Sequence, residues 1–336
     1  MTKRFVAFGE LLLRLDVKDH ARFVQAEEFA ARWTGAEANV AVSLACFGWE
    51  AWVASKAPDH EIGQACIDEI RRHGVRTEHV ARGGERLGLL YVEQGASQRP
   101  TKVIYDRRGS SFSEASPEDF DWERILDGKD WLHFSGTGPA LGAGVRRIIE
   151  EGLAAAHRRG LTVSFDPNYR AKLWSVEEAG RALRPLLSSA DVFIGSPYDA
   201  SLLFGIETEA GLAPREMSAQ LAAELCRRFG LRAAAMTLRG GDSASANDIA
   251  GLLCAGGRTF SSREYRVEIV DRIGTGDAFA AGVIHGLGRG WEPQAVIDFA
   301  AAAACLKHSI PGDFNLATEA EVLDLVRGGG GGRVAR

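Results

Sequence analysis

The sequence predicts an α/β fold in three layers, a mostly parallel sheet with helices on both faces. Three observations predict it. Short apolar, β-branched runs alternate along the chain with longer stretches of helical spacing. Glycine closes those stretches, at Gly48, Gly74 and Gly160. A chain of 336 residues is long enough to bury the substantial core that one large α/β domain or two smaller ones require.

The elements follow in order. FVAFGEL (5–11) is the first strand, ANVAVSLACFG (38–48) a helix, AWVASKA (51–57) a strand and HEIGQACIDEIRRHG (60–74) a helix. The rhythm then breaks, because LGLLYVEQG (87–95) and RPTKVIYDRRGSSFSE (99–114) are consecutive strand-like runs with no helix between them. They predict an antiparallel excursion, a flap drawn from about 11–34 and 86–113, covering a site at the carboxyl edge of the sheet where ligands bind in open α/β folds. Such a flap has unpaired edges, which points to a homo-oligomer, a dimer through the flap. WLHFSG (131–136), TVSFDP (162–167), DVFIGS (191–196) and AAAMTL (233–238) resume the strands, separated by helices such as GVRRIIEEGLAAAHRRG (144–160). One domain is expected over 1–327, followed by a glycine-rich tail, 328–336, expected to be mobile.

Composition narrows the class. Hydrophobic residues are 46% and charged residues 25%, ordinary for a soluble globular chain. The net charge of −5, from 40 basic and 45 acidic residues with no basic run, disfavours nucleic acid as a partner. No uncharged apolar stretch is long enough to span a membrane. Glu10 and Arg14 interrupt the apolar N-terminal run, so a signal peptide is not expected. Cys46, Cys66, Cys226, Cys254 and Cys305 are odd in number and scattered, which suggests buried thiols in a reducing cytoplasm. The histidines show no ligand spacing; His133 falls on a buried strand as a core residue, and His308 is left open.

The chemistry concentrates in VEIVDRIGTGDAFAAGVIHGLGRG (267–290). Val267–Val270 is strand-like, and a helix follows from Asp277 with Phe279, Val283, Ile284 and Leu287 on one face. Gly274, Thr275 and Gly276 lie between them, where a helix start leaves amides without partners and the dipole favours an anion. Asp277 beside an anion suits a proton acceptor for a group attacking that anion; the plainer alternative is a helix cap with glycines making the turn. Phosphoryl transfer, which is mostly positioning and charge stabilisation, needs these parts in this order. No P-loop, HExxH or HRD–DFG pair is present. GTGPALG (136–142) is GxGxxxG with Pro139 in the turn and suits a pocket-lining loop better than a dinucleotide fingerprint. FVAFGELLLRL has only Gly9, so a dehydrogenase lacks its fingerprint after the first strand.

DRIGTGDAFAAG resembles the C-terminal motif of the ribokinase-like (PfkB-type) sugar kinases, and TGAEANVAVSLACFG resembles their N-terminal Gly-Gly…Asn–helix motif, with Thr34 where the first glycine is usual. The two motifs stand in the right order, about 240 residues apart. YDRRGSSFSE, FSGTGPALG, SFDPNYRAKLW and LKHSIPGDFN are together similar to the 2-keto-3-deoxygluconate kinase branch. The resemblance implies a ribokinase-like sheet of roughly eight or nine strands, a β-lid, ATP, and Mg2+ held mainly by phosphates and water. It implies Asp277 as base, with Gly274, Thr275 and Gly276 at the transferring group. At the sugar it places Gly35, Ala36, Asn39, Tyr91, Tyr105, Arg107, Arg170 and Asp313. On the nucleotide side it places Asn168, Ser196, Thr237, Arg239, Gly241 and Ala301, besides Gly274 and Gly276.

The substrate implied is an acid, whose carboxylate suits arginine better than lysine because arginine binds it bidentately. Arg107 and Arg170 are the candidates, against a solvated surface charge for Arg107 and a structural pair with Asp166 or Asp191 for Arg170. Asp313 in Pro-Gly-Asp is equally a turn residue. Ser196 and Asp199 stand where many relatives carry Asn and Glu of an N-x-x-E motif, which puts metal ordering there in doubt. Asp271 either orders the metal through water or caps its loop. The expected activity is ATP-dependent phosphorylation of C6 of 2-keto-3-deoxygluconate or a close acidic keto-deoxy sugar. The alternatives are a kinase for a neutral sugar such as fructose or ribose, and a non-catalytic sugar-binding member of the fold.

Overall fold

The computed structural model describes residues 2–241 and 243–329, so residues 330–336 of the expected mobile tail lie outside the described residues. β1 (Arg4–Phe8) opens the main sheet. The chain leaves it for β2 (Leu12–Val17) and β3 (Phe29–Thr34) of a second, smaller sheet, and α1 (Ala36–Cys46) brings it back. β4 (Glu50–Ala57), α2 (Glu61–Arg72) and β5 (Val75–Arg82) build one edge. A second departure makes β6 (Gly88–Glu93) and β7 (Lys102–Asp106). After a short α3 (Trp122–Ile125), α4 (Ala143–Arg158) and α5 (Val176–Leu187) join β8 (Trp131–Ser135), β9 (Thr162–Asp166) and β10 (Val192–Gly195). α6 (Pro197–Phe204) and α7 (Pro214–Phe229) lead to β11 (Ala233–Gly240), β12 (Ala246–Ala255), β13 (Arg258–Ser261) and β14 (Tyr265–Glu268). α8 (Thr275–Gly288), α9 (Pro293–Lys307) and α10 (Glu319–Val326) complete the fold.

The main sheet runs β13-β12-β11-β10-β9-β8-β1-β4-β5, with β14 also paired to β12. These ten strands exceed the number the resemblance implied. From β5 to β11 every pairing is parallel, and β12, β13 and β14 form an antiparallel edge. A parallel strand is covered on both faces, so β1 is apolar from Phe5 to Phe8: Phe5 and Ala7 share a core with α1, α2, α8 and α9, while Val6 and Phe8 share one with α3, α4, α5 and α7. Among the described residues no helix is long and apolar enough to cross a membrane.

The alanine-rich C-terminal helices have a packing reason. A Cβ at Gly282 would lie 2.6 Å from Ala300 Cα, and one at Gly286 2.9 Å from a methyl of Val296, so α8 and α9 touch nearly backbone to backbone. Ala301, the next residue of α9, is fully buried. It is not among the residues that line the cleft beneath the small sheet, which corrects its expected place at adenine.

The small sheet runs β3-β2-β6-β7. Its β2–β3 and β6–β7 pairs are antiparallel but β2–β6 is parallel, so the expected excursion is mixed. The period of two sets its faces. Leu12, Arg14, Asp16, Leu90, Val92, Val103 and Tyr105 share the face toward the main body, where Ile273 joins them. Tyr91 is one residue out of that phase. It lies edge-on to Phe29, centroids 5.9 Å apart, on the outer face, which corrects its expected reach to the sugar. At the tip joining β6 to β7, the Ser97 amide donates to Ser245 Oγ at 2.9 Å.

Arg14 pins this sheet to the body. It is fully buried and donates to Asp16 at 2.7 Å, to Asp271 at 2.9 Å and to Asp313. Arg32 donates to the second oxygen of Asp16 at 2.9 Å. Fully buried Lys307 donates to the backbone carbonyls of Ile310 at 2.9 Å and Asp271 at 3.4 Å, within reach of the charges of Asp271 and Asp313. Removing one member of a buried ion cluster strands the others. Arg14→Met is expected to lower unfolding free energy by about 3–5 kcal/mol in urea denaturation. A loss below about 1 kcal/mol, the range of an exposed pair, would contradict this.

Candidate active site

The small sheet and the carboxyl ends of the main-sheet strands enclose a cleft of ≈1310 Å³. Thr137 follows β8; Asp166, Asn168 and Arg170 stand at or after the end of β9, Ser196 and Asp199 after β10, and Thr237 and Arg239 on the last residues of β11. Ligands bind at this edge because parallel strands end there and helices begin.

α8 begins at the floor of the cleft. Gly274, not Asp277, is its cap, with φ +82°; a Cβ there would lie 2.0 Å from the Asp313 carbonyl, so both conformation and space require glycine. Among the described residues the amides of Gly274, Thr275 and Gly276 donate to no acceptor, and all three residues line the cleft. Asp277 sits in the first turn and accepts from Asn39 Nδ2 at 2.7 Å. Thr34 Oγ1 lies 3.3 Å from Asn39 Oδ1 and donates to Asp313. The threonine that departs from the family motif thus ties two expected sugar-site residues together. Asp313 also accepts from Arg14, which makes it a member of the buried cluster as well as a cleft residue. Gly35 caps α1 beneath the cleft, and a Cβ on it would meet the Glu10 carbonyl at 2.4 Å; Ala36 takes the lining position.

Burial pushes the Asp277 carboxyl up to about 7, opposed by the Asn39 hydrogen bond and helped by the charge of Asp313. Asp166 is pushed up to about 8, by burial first and then by the charges of Asp199 and Asp277. Its Oδ1 accepts from the Asn168 amide at 2.8 Å. Asn168 holds φ +42° and is buried, yet its Oδ1 has no partner among the described residues, a costly arrangement unless something else occupies that oxygen. Ser196 and Asp199 cap each other at the start of α6, with Ser196 Oγ donating to Asp199 at 2.6 Å. Among the described residues no group of three His, Cys, Asp or Glu side chains is placed to hold a metal.

The two expected carboxylate partners differ. Arg107 is buried and its Nε donates to Glu10, whose second oxygen accepts from Ser110. It is therefore not a solvated surface charge, but its charge is already matched. Arg170 is exposed in the cleft, and its Nε donates to Tyr105 across from β7 at 3.1 Å. Neither Asp166 nor Asp191 pairs with it; Asp191 accepts instead from the Val163 amide at 2.7 Å. Thr237 Oγ1 donates to the Gly195 carbonyl at 3.4 Å, and Arg239 places a guanidinium nitrogen 3.4 Å from Thr275 Oγ1. Gly241, φ +105°, lies against Ala246 and Asn247 behind the loop, so Gly240 lines the cleft in its place. Asp271 braces its loop, accepting from Ile273, Gly312 and Arg14, and does not line the cleft. His133 is a core residue hydrogen-bonded to Ser164 at 2.8 Å, and His308 is buried on the Ala304 carbonyl at 2.7 Å.

Arg14, Glu10, Glu37 and Arg272 were not singled out from sequence as site residues. Glu37 lines the cleft and is buried, accepting from Ser135; burial raises its pKa. Its place two residues before Asn39 in the N-terminal motif was the available signal.

Comparison with known proteins shows the family. The family model described as pfkB family carbohydrate kinase matches residues 2–317. The 2-dehydro-3-deoxygluconokinase of Thermotoga maritima is 43% identical in its crystal structure, with a TM-score of 0.95 over 97% of this chain and 99% of that one. The 2-dehydro-3-deoxygalactonokinase of Haloferax volcanii is 34% identical over 99% of both chains. The 2-dehydro-3-deoxygluconokinase of Bacillus subtilis is 26% identical over 92% of this chain and 91% of its own. With its sheet order, its cleft and the DRIGTGD turn at the head of α8, the chain belongs to the pfkB family of carbohydrate kinases.

Proposed function

We propose that the protein phosphorylates the C6 hydroxyl of 2-keto-3-deoxygluconate, or of a close acidic keto-deoxy sugar, with ATP as donor. The observation that carries this is Asp277 at the bare amides of α8 in a cleft that offers an unmatched guanidinium, Arg170, at its sugar end. A base with a pKa near 7 takes a hydroxyl proton efficiently at neutral pH.

The residues share the work by place. Ala36, Asn39, Tyr105 and Asp313 hold the sugar, Arg170 pairs with its carboxylate, and Arg107 braces Glu10 at the edge of the small sheet. Asn39 orients Asp277 through its 2.7 Å hydrogen bond. The amides of Gly274, Thr275 and Gly276 face the oxygens of the group in transfer. Thr237, Gly240 and Arg239 line the phosphate path. Mg2+ fits the unpartnered Asn168 oxygen and the Asp166 and Asp199 carboxylates, which would hold its water shell; it supplies charge neutralisation of the phosphates. The small sheet acts as a lid that excludes water. Its outer face, with exposed Phe29 and Ile104 beside Tyr91, suits a second copy of the chain.

An ADP-release assay against 2-keto-3-deoxygluconate, 2-keto-3-deoxygalactonate, gluconate, fructose and ribose tests the substrate class. Turnover confined to the keto-deoxy acids is expected; turnover on fructose or ribose alone refutes it. Asp277→Asn is expected to lower kcat by about 10²–10⁴-fold, and near-normal turnover would remove the base. kcat/KM should fall as pH drops through about 7, since Asp277 must be ionised. A carboxyl whose pKa is raised on folding destabilises the fold above that pKa and stops doing so as it protonates. Asp277→Asn should therefore melt higher than the parent at pH 8, with the gain fading toward pH 5. Arg170→Ala should cost the acid about 10–100-fold in kcat/KM relative to its effect on any neutral sugar turned over. Ile104→Glu should yield monomer in sedimentation if the outer face joins two copies.

A further inference from the structure

Arg272, the second residue of DRIGTGD, has no part in the roles given above. It is half-buried and borders the cleft two positions before the bare amides, and it also borders a small cavity beside Gln94 and Ser245. Its own carbonyl accepts from Thr275 Oγ1 at 3.0 Å, which folds the segment so that residue 272 and α8 share one tight turn. Arg239 approaches the same turn from the end of β11. One guanidinium nitrogen lies 3.4 Å from Thr275 Oγ1, and a Cβ built on Gly276 would lie 3.6 Å from it. The two arginines are near enough to repel one another.

Their surroundings differ from those of Arg14, Arg32 and Arg107. Arg14 faces three carboxylates, Arg32 pairs with Asp16 and Arg107 with Glu10. Among the described residues no carboxylate lies within ion-pair distance of Arg239 or Arg272. The nearby Asp271 is turned away, occupied by Arg14 and by the amides of Ile273 and Gly312. Arg239 is exposed, and Asp166 and Asp277 act on it only at a distance, so the two guanidinium groups stand without ion pairs over one turn of bare amides, an arrangement that suits a polyanion. Guanidinium also suits phosphate oxygens geometrically.

We propose that Arg272 and Arg239 clamp the phosphate chain at the point of transfer, with Arg272 a catalytic residue. The proposal rests on the kinase reading. In the step itself a bond forms between the sugar C6 oxygen and the γ-phosphorus. The bond from that phosphorus to the β,γ-bridging oxygen breaks, its electron pair stays on the ADP formed, and the hydroxyl proton goes to Asp277. Negative charge thus moves toward the bridging oxygen, and a guanidinium beside it stabilises the transition state more than the ground state.

The test uses the full chain with Arg272→Met and Arg272→Lys, read by thermal unfolding with inorganic tripolyphosphate in the absence of sugar, and by steady-state kinetics. Arg272→Met without ligand should melt at or above the parent temperature, because a repulsion is removed. It should lose most of the stabilisation by tripolyphosphate, and kcat should fall about 10²–10³-fold with the KM for sugar little changed. Arg272→Lys should restore part of the tripolyphosphate effect. An Arg272→Met protein that keeps both its kcat and the full tripolyphosphate shift overturns the proposal. If the parent turns over no sugar, the kinase reading fails separately. The clamp is then judged by the shift alone: present in the parent and lost in Arg272→Met supports it, and absent in the parent overturns it.

Discussion

The buried guanidinium of Arg14 is the constraint on which the rest of the site depends. It sits on a strand of the small sheet and holds, by three hydrogen-bonded carboxylates, its own strand, the loop before α8 and the Pro-Gly-Asp turn. Those last two segments carry Gly274 and Asp313, which meet where the Asp313 carbonyl leaves no room for a side chain on residue 274. From there the chain of contacts runs through Thr34 and Asn39 to Asp277. A charge cluster of this kind is weak as a source of stability, because desolvation offsets most of the attraction. It is strong as a source of position, since no member can move without stranding another.

The cleft itself is built against stability. Asp166 and Asp277 carry carboxyls raised well above their ordinary range, mainly because burial penalises the charged form. Opposite them, Arg170, Arg239 and Arg272 lack carboxylate partners among the described residues. Acidic and basic groups that share a cleft without forming ion pairs suit ligands that bring both signs. Perturbed groups of this kind collect where chemistry is done.

Much of the fold was legible because periodicity reports burial directly. The parallel strands appear as short apolar runs since both of their faces are covered, and DRIGTGD declares a strand, a glycine turn and a helix in order. What escaped reading was phase and partnership. Tyr91 and Leu90 are neighbours in a run where either could face the body, and the register with β2 decides it. Ala301 looks the same in sequence whether it packs in the core or on a base, and its complete burial away from the cleft lining decides that. Arg14 was conspicuous only as a break in an apolar stretch; its three carboxylates are 2, 257 and 299 residues away. Arg107 was recognised as special, but Glu10, which matches its charge, lies 97 residues upstream. Gly274, Thr275, Gly276 and Asp277 could be placed from sequence at the head of a helix with bare amides, because that arrangement depends on local backbone geometry.

The most direct test is to incubate the protein with ATP, Mg2+ and 2-keto-3-deoxygluconate and to locate the phosphate on the product by two-dimensional ¹H–³¹P NMR. Coupling of the phosphorus to the C6 methylene protons is the predicted result, because Asp277 and the bare amides of α8 then act on the terminal hydroxyl of an acid held at Arg170. Inorganic phosphate with unmodified sugar, or phosphate attached at another carbon, would contradict the arrangement of sugar, base and anion site derived from this structure.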